Sequence, residues 1–346
     1  DSGASNTIFG KDAGDTDGAG DTNVYIGELA GGQGTQTDDG DSNVGVGYRA
    51  LTDLTEGANN VAVGKDAATN ILGGDENVAL GVDALYTSTA AIKSIAIGKN
   101  AMYGGTATAS GSIAIGYDSL RAIAGGAENI AIGSSAANLI TTGASNVALG
   151  FEAMVATPVA ATSNVAIGTH AMGGAASGGT ASNDNIAIGH DVMASGSLSG
   201  ASENVAIGTT ALNALTTGGT NTAVGVRAGL VLLTGAGNVF LGKDSADSAT
   251  ACSSVVAIGH NAMQTVTTST DVDGTGAIGN ATLNALTTGA KNIAIGYNAM
   301  LLNIEGDKNI AIGYAAMDAM VGEQDVDTVS GGHNNIAIGV DTMGAV

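Results

Sequence analysis

The sequence predicts an all-β protein, a parallel β-solenoid of about nineteen coils, on three observations. A short motif, Asn-[Val/Ile]-Ala-[Ile/Val/Leu]-Gly, recurs from one end to the other. Its spacing is tight and regular. The composition is that of a thin stacked structure: 56 glycines, one proline, no tryptophan and ten Phe and Tyr together, at 44% apolar content. Small and β-branched residues take the place of the large side chains that fill a globular core.

The motif glycine falls at Gly10, Gly27, Gly47, Gly64, Gly81, Gly98, Gly116, Gly133, Gly150, Gly168, Gly189, Gly208, Gly225, Gly242, Gly259, Gly279, Gly296, Gly313 and Gly339. Eleven of the eighteen intervals are 17 residues, and the longest is 26, between Gly313 and Gly339. A 17-residue unit is too short for a helix pair or a propeller blade. It reads as one coil: a short strand ending at glycine, a bend, a second extended piece and a return loop. The array is expected to be one continuous domain over residues 1–346, with neighbouring coils paired as parallel strands about 4.8 Å apart.

Positions are counted from the motif glycine as zero. Positions −3 and −1 hold Val, Ile, Leu or Thr, with Phe9 and Gly276 as exceptions. Side chains alternate along a strand, so these two share a face. Their apolar character predicts that this face is the inner one. Position −2 then points outward. It is alanine in fifteen of nineteen copies, including Ala62, Ala79, Ala96, Ala114, Ala131, Ala148, Ala166, Ala187, Ala206, Ala294 and Ala311. An outward alanine column would let another backbone approach closely. It is therefore expected to be an interface between copies of the chain, the alternative being a bare small-residue face on a monomer.

Asparagine stands at −4 in fifteen copies, where it is expected to bond the turn and to form an amide ladder between coils. Leu or Met stands at +4 in thirteen copies, taking eight of the nine methionines, and marks a second inner wall. The glycine itself is expected in a conformation, or at a close approach, that a Cβ would block. Positions +1 and +2, as in Tyr117-Asp118 and His190-Asp191, read as an exposed bend.

Segments such as Asn204-Val205-Ala206-Ile207-Gly208 and Asn292-Ile293-Ala294-Ile295-Gly296 resemble the head repeats of trimeric autotransporter adhesins, the YadA-like head. Related repeats occur in bacteriophage tail fibres. The resemblance covers essentially the whole chain. It implies a left-handed β-roll assembled as a side-by-side homotrimer. The return segment here is longer and more variable than in the compact adhesin repeat, and residues 1–346 are not expected to include a coiled-coil stalk or an anchoring barrel. The family's collagen or matrix binding is not carried over.

Little in the sequence points to catalysis. The four histidines, His170, His190, His260 and His333, are spread along the array and are not expected to converge on one site. Neither a His/Cys metal spacing nor a phosphate-binding loop occurs. The enzymatic competitor is a hexapeptide-repeat acyltransferase. Ile295–Met300 fits one hexad, but the next six residues do not continue it, and 17 is not a multiple of six. Cys252 cannot make an intramolecular disulfide. Calcium is the one cofactor worth considering. Asp15, Asp17, Asp39 and Asp41 are weak metal candidates in acidic loops, with Asp12, Asp21, Asp38, Asp271 and Asp273 as neighbours or similar groups.

The formal net charge is −22. Ten Lys and Arg give no basic stripe, which argues against a nucleic-acid partner, and no apolar run approaches the ~18–20 residues of a membrane span. The chain opens Asp1-Ser2-Gly3, so it is expected to be a fragment or processed product of a longer fibrous protein. The expected role is a non-enzymatic extracellular fibre segment, on a cell surface or a virion. It would space, and make contact with, a host glycan or protein. A passive filament or surface-layer subunit is the alternative.

Overall fold

The structure is a computed structural model that describes residues 5–15, 20–34, 40–104, 109–155, 160–174, 180–195, 197–266, 272–303, 305–318 and 332–343. Asp17, Asp38, Asp39 and Asp271 lie outside the described residues, as do much of the longer return loops. The chain forms two compact units, Asp1–His170 and Ala171–Val346. Among the described residues there is no α-helix, and so none long and apolar enough to cross a membrane.

Each motif copy makes one three-residue strand. The first unit holds ten, from β1 (Thr7–Phe9) to β10 (Val165–Ile167), each pairing in parallel with the next. The second holds nine, from β11 (Ile186–Ile188) to β19 (Ile336–Ile338), paired the same way. Register follows the motif without slippage. Between β4 (Val61–Val63) and β5 (Val78–Leu80), Val61 faces Val78, Ala62 faces Ala79 and Val63 faces Leu80. The parallel solenoid read from the repeat is therefore the fold.

Four positions in each coil take positive φ. The strand ends at glycine, with φ +142° at Gly64 and +138° at Gly81. A Cβ on Gly64 would lie 2.4 Å from the carbonyl oxygen of Gly81, so both backbone conformation and stacking exclude a side chain there. Positions −5, +2 and +4 take the left-handed conformation with ordinary side chains, as in Glu76 (57°), Asp66 (56°) and Ala68 (48°). Such residues cost roughly 1–2 kcal/mol each. Backbone hydrogen bonds between coils hold them: Glu76 N–H to Ala58 O at 3.0 Å, Asp66 N–H to Tyr48 O at 2.8 Å and Ala68 N–H to Ala84 O at 2.9 Å.

The asparagine ladder forms as expected. Asn43, Asn60 and Asn77 are fully buried. The Oδ1 of Asn43 and of Asn60 each accepts both the backbone and the side-chain N–H of the next asparagine, at 3.0 and 3.1 Å from Asn60 to Asn43. The side-chain amide also donates to a return-loop carbonyl, Gly74 O, at 2.7 Å. These bonds satisfy polar groups that could not otherwise be buried. Position −6 does related work at the corner. The carboxylates of Asp75 and Asp307, and the hydroxyl of Ser253, accept backbone N–H groups of the preceding coil at 2.9, 2.9 and 3.2 Å.

The assignment of strand faces is the reverse of the expectation. Ala62, Ala79, Ala96, Ala114, Ala131, Ala148, Ala166, Ala187, Ala206, Ala294 and Ala311 are buried inside their own coils, none more than 1% exposed. They cannot be a surface at which another chain docks. The β-branched residues on either side of them point outward and are half-buried or exposed. The physical reason is volume. The opposite wall supplies large side chains, Leu51, Leu85, Met102, Leu120 and Met154 at +4, with Leu54, Ile71, Ile123 and Ile140 at +7, all fully buried. The space left at −2 suits a methyl group.

The four departures from alanine at −2 show the same exchange. Tyr25 is fully buried, and its ring takes the space beside Gly31, where a Cβ would lie 2.6 Å from the ring. Gly45, at −2 of the next coil, lies against the same ring. Phe240 is fully buried against Gly229, and Ile8 packs over Gly14. The three glycines at +4 are the three beside a bulky residue at −2, so core volume is conserved coil by coil.

Candidate functional site

Each strand turns two residues outward, and stacking makes them two continuous columns in each unit. Among them Ile26, Val63, Ile130 and Leu149 in the first unit are 36–41% exposed, and Leu241, Ile278, Ile293 and Ile295 in the second are 38–45% exposed. None of the outward strand positions carries a charge, in a chain with 32 Asp and Glu and ten Lys and Arg. Ten strands at about 4.8 Å give a stripe about 43 Å long in the first unit, and two alternate residues with their side-chain breadth make it about 10 Å wide. Its footprint, on the order of 400 Å², matches the largest apolar patch of a whole monomer.

Position +1 widens the stripe in places, with Tyr48, Tyr117, Phe151, Tyr297 and Tyr314 at 42–53% exposed. Tyr297 and Tyr314 stack in parallel, ring centres 5.5 Å apart. Beside the aromatics the edge is charged and nearly balanced. Six of the ten Lys and Arg lie at +1 or +2: Lys11, Arg49, Lys65, Lys99, Arg227 and Lys243. In the second unit Asp244 accepts from Arg227 Nε at 2.6 Å and from Lys243 Nζ at 2.7 Å. The bond from Arg227 holds the Asp244 carboxyl down at about 2, against the opposing effect of its burial. The first unit repeats the triplet more loosely: Arg49 and Lys65 stand 3.6 and 3.4 Å from Asp66.

The metal candidates do not form a shared ligand set among the described residues. Asp15 is exposed. Asp41 accepts the Asp21 backbone N–H at 2.6 Å, and Asp273 accepts that of Ser253 at 2.7 Å, which gives both carboxylates the corner role seen at Asp75. The histidines at the bend pair locally: His170 with Glu152 at 3.2 Å, and His190 with Asp191 at 3.1 Å. Cys252 is buried, and burial pushes its thiol up to about 12, the state of an inert packing group. Sequence reasoning placed the apolar columns inside and so missed the stripe. The available signal was the pairing of bulky residues at −2 with glycine at +4.

No protein-family model and no curated protein matches the chain. The fold and this surface define its class: a parallel β-solenoid repeat protein whose regular outer feature is an uncharged aliphatic stripe.

Proposed function

We propose that the chain is a structural fibre segment whose copies associate side by side, as a homotrimer, through the outward Val/Ile stripe. The observation that carries this reading is the stripe itself: outward, aliphatic, repeated coil after coil and free of charge. The first unit's stripe alone is about half of the roughly 800 Å² that one partner buries in a standard interface, and the second unit carries the same columns. The chain's acidity would oppose association of like copies. Along the stripe's edge, however, nine Asp and Glu at +1 and +2 meet six Lys and Arg, so the local charge is about −3 against −22 for the whole. A near-neutral charged rim around an apolar centre is the common anatomy of an interface. A cyclic arrangement lets every copy cover its stripe without leaving an open surface.

The resemblance to adhesin heads and tail-fibre repeats supports an extracellular setting, on a cell surface or virion, and a role in spacing and attachment to a glycan or protein. Two measurements test this. Sedimentation across a dilution series should give a trimer that dissociates reversibly, and a glycan array should retain the assembled chain. A trimer that binds no surface ligand would leave the passive filament.

A further inference from the structure

The stripe has one notch. β16 (Gly276–Ile278) lies between β15 (Val256–Ile258) and β17 (Ile293–Ile295), and its first outward residue is Gly276, in register with Val256 and Ile293. Every other copy has a β-branched residue here; even Thr7 and Thr222 keep that shape. Two glycines occur within strands. Gly45 is accounted for inside the chain, because the Tyr25 ring occupies the space of its side chain. Gly276 is not. Its φ is outside the positive range, and a Cβ placed on it would meet nothing within 4 Å. Its N–H is bonded in the ladder to Asn292 O at 2.8 Å, as at other strands. Among the described residues, neither backbone conformation nor packing calls for glycine. A glycine in mid-strand is less favourable than Val or Ile, and nothing among the described residues compensates for it.

We infer that Gly276 marks the closest approach of a second copy, with an apolar side chain of that copy's stripe seated in the notch between Val256, Ile278 and Ile293. This rests on the self-association proposed above. The occupant is argued from the surroundings: Ile278 and Ile293 are 41% and 42% exposed, the walls are wholly aliphatic, and the same chain presents aliphatic side chains at the matching spacing. The notch also gives register. A featureless stripe could slide by one coil, about 4.8 Å, and keep most of its contacts. One knob in one hole fixes a single alignment.

The test is Gly276→Val in the full chain, with Gly276→Ala as a milder step and Ile293→Glu as a control on the stripe. The dissociation constant is read by sedimentation, and the thermal midpoint of the dissociated chain reports folding. The expected result is weakening of at least tenfold for Gly276→Val, a smaller loss for Gly276→Ala, and a midpoint unchanged or raised for both. If Ile293→Glu abolishes association while both glycine variants associate as well as the parent or better, the stripe stands and the notch inference is overturned. A parent chain that keeps the mass of one copy at every concentration overturns both.

Discussion

The two faces of one three-residue strand make opposite demands. At Ile130-Ala131-Ile132 the inner residue is completely buried, while its neighbours face outward. Apolar character does not separate them, since all three are apolar. Volume does. Inside, the Leu and Met wall leaves room for a methyl group. Outside, nothing in the chain limits size, and β-branched residues satisfy the strand and present a broad aliphatic surface. In a fold this thin, the smaller residue marks the inside.

The largest effect should come from breaking the inner face. Ala131→Glu sets a carboxylate where neither water nor a partner reaches, at about 4–5 kcal/mol or more. Denaturant titration by circular dichroism should show a chain that is largely unfolded. Next, Phe240→Ala should cost about 3–5 kcal/mol by leaving a cavity beside Gly229. Gly229→Met alone should also destabilise, by about 1–3 kcal/mol, through overpacking. The two together should recover much of the loss, because Phe240 with Gly229 replaces the alanine with methionine found in other coils; a double-mutant cycle measures it.

The outer rim should respond to pH more modestly. Asp244 is held at about 2 in the fold, below its ordinary 3.8. A lowered carboxyl stabilises the folded state at pH above 3.8, and that contribution disappears as pH falls through about 2. On the order of 2 kcal/mol should be lost in that window, and acid titration of Asp244→Asn should lack this part of the decline. The smallest change in stability belongs to the outer stripe. Leu149→Glu should change the unfolding free energy of a single copy by no more than about 0.5 kcal/mol, yet sedimentation should show association lost.

Much of the fold was legible in the sequence because it is periodic. The glycine column, the asparagine ladder and the Leu and Met wall each follow from repetition plus one local constraint. The direction of the strand faces was not legible from alternation, which supplies two faces and no label. Hydropathy misled, since Ile and Val are more apolar than alanine. The label lay in the exceptions, Tyr25 with Gly31 and Phe240 with Gly229, where a large residue at −2 requires an absent one opposite. At +2 the left-handed conformation had a sequence signal, Asp or Asn in ten of nineteen copies, whereas Glu76 at −5 and Met102 at +4 are not residues that favour positive φ. Stacking against the neighbouring coils imposes that conformation.

The central claim, that alanine is inside and the aliphatic columns outside, is tested most directly by thiol labelling of two adjacent sites. Ile130→Cys and Ala131→Cys are made in a Cys252→Ser background, and each is exposed to a small thiol reagent under native conditions across a dilution series. Cysteine at 131 should stay protected at every concentration. Cysteine at 130 should be protected when copies associate and should react freely once dilution separates them. Rapid labelling at 131 with lasting protection at 130 would contradict the account.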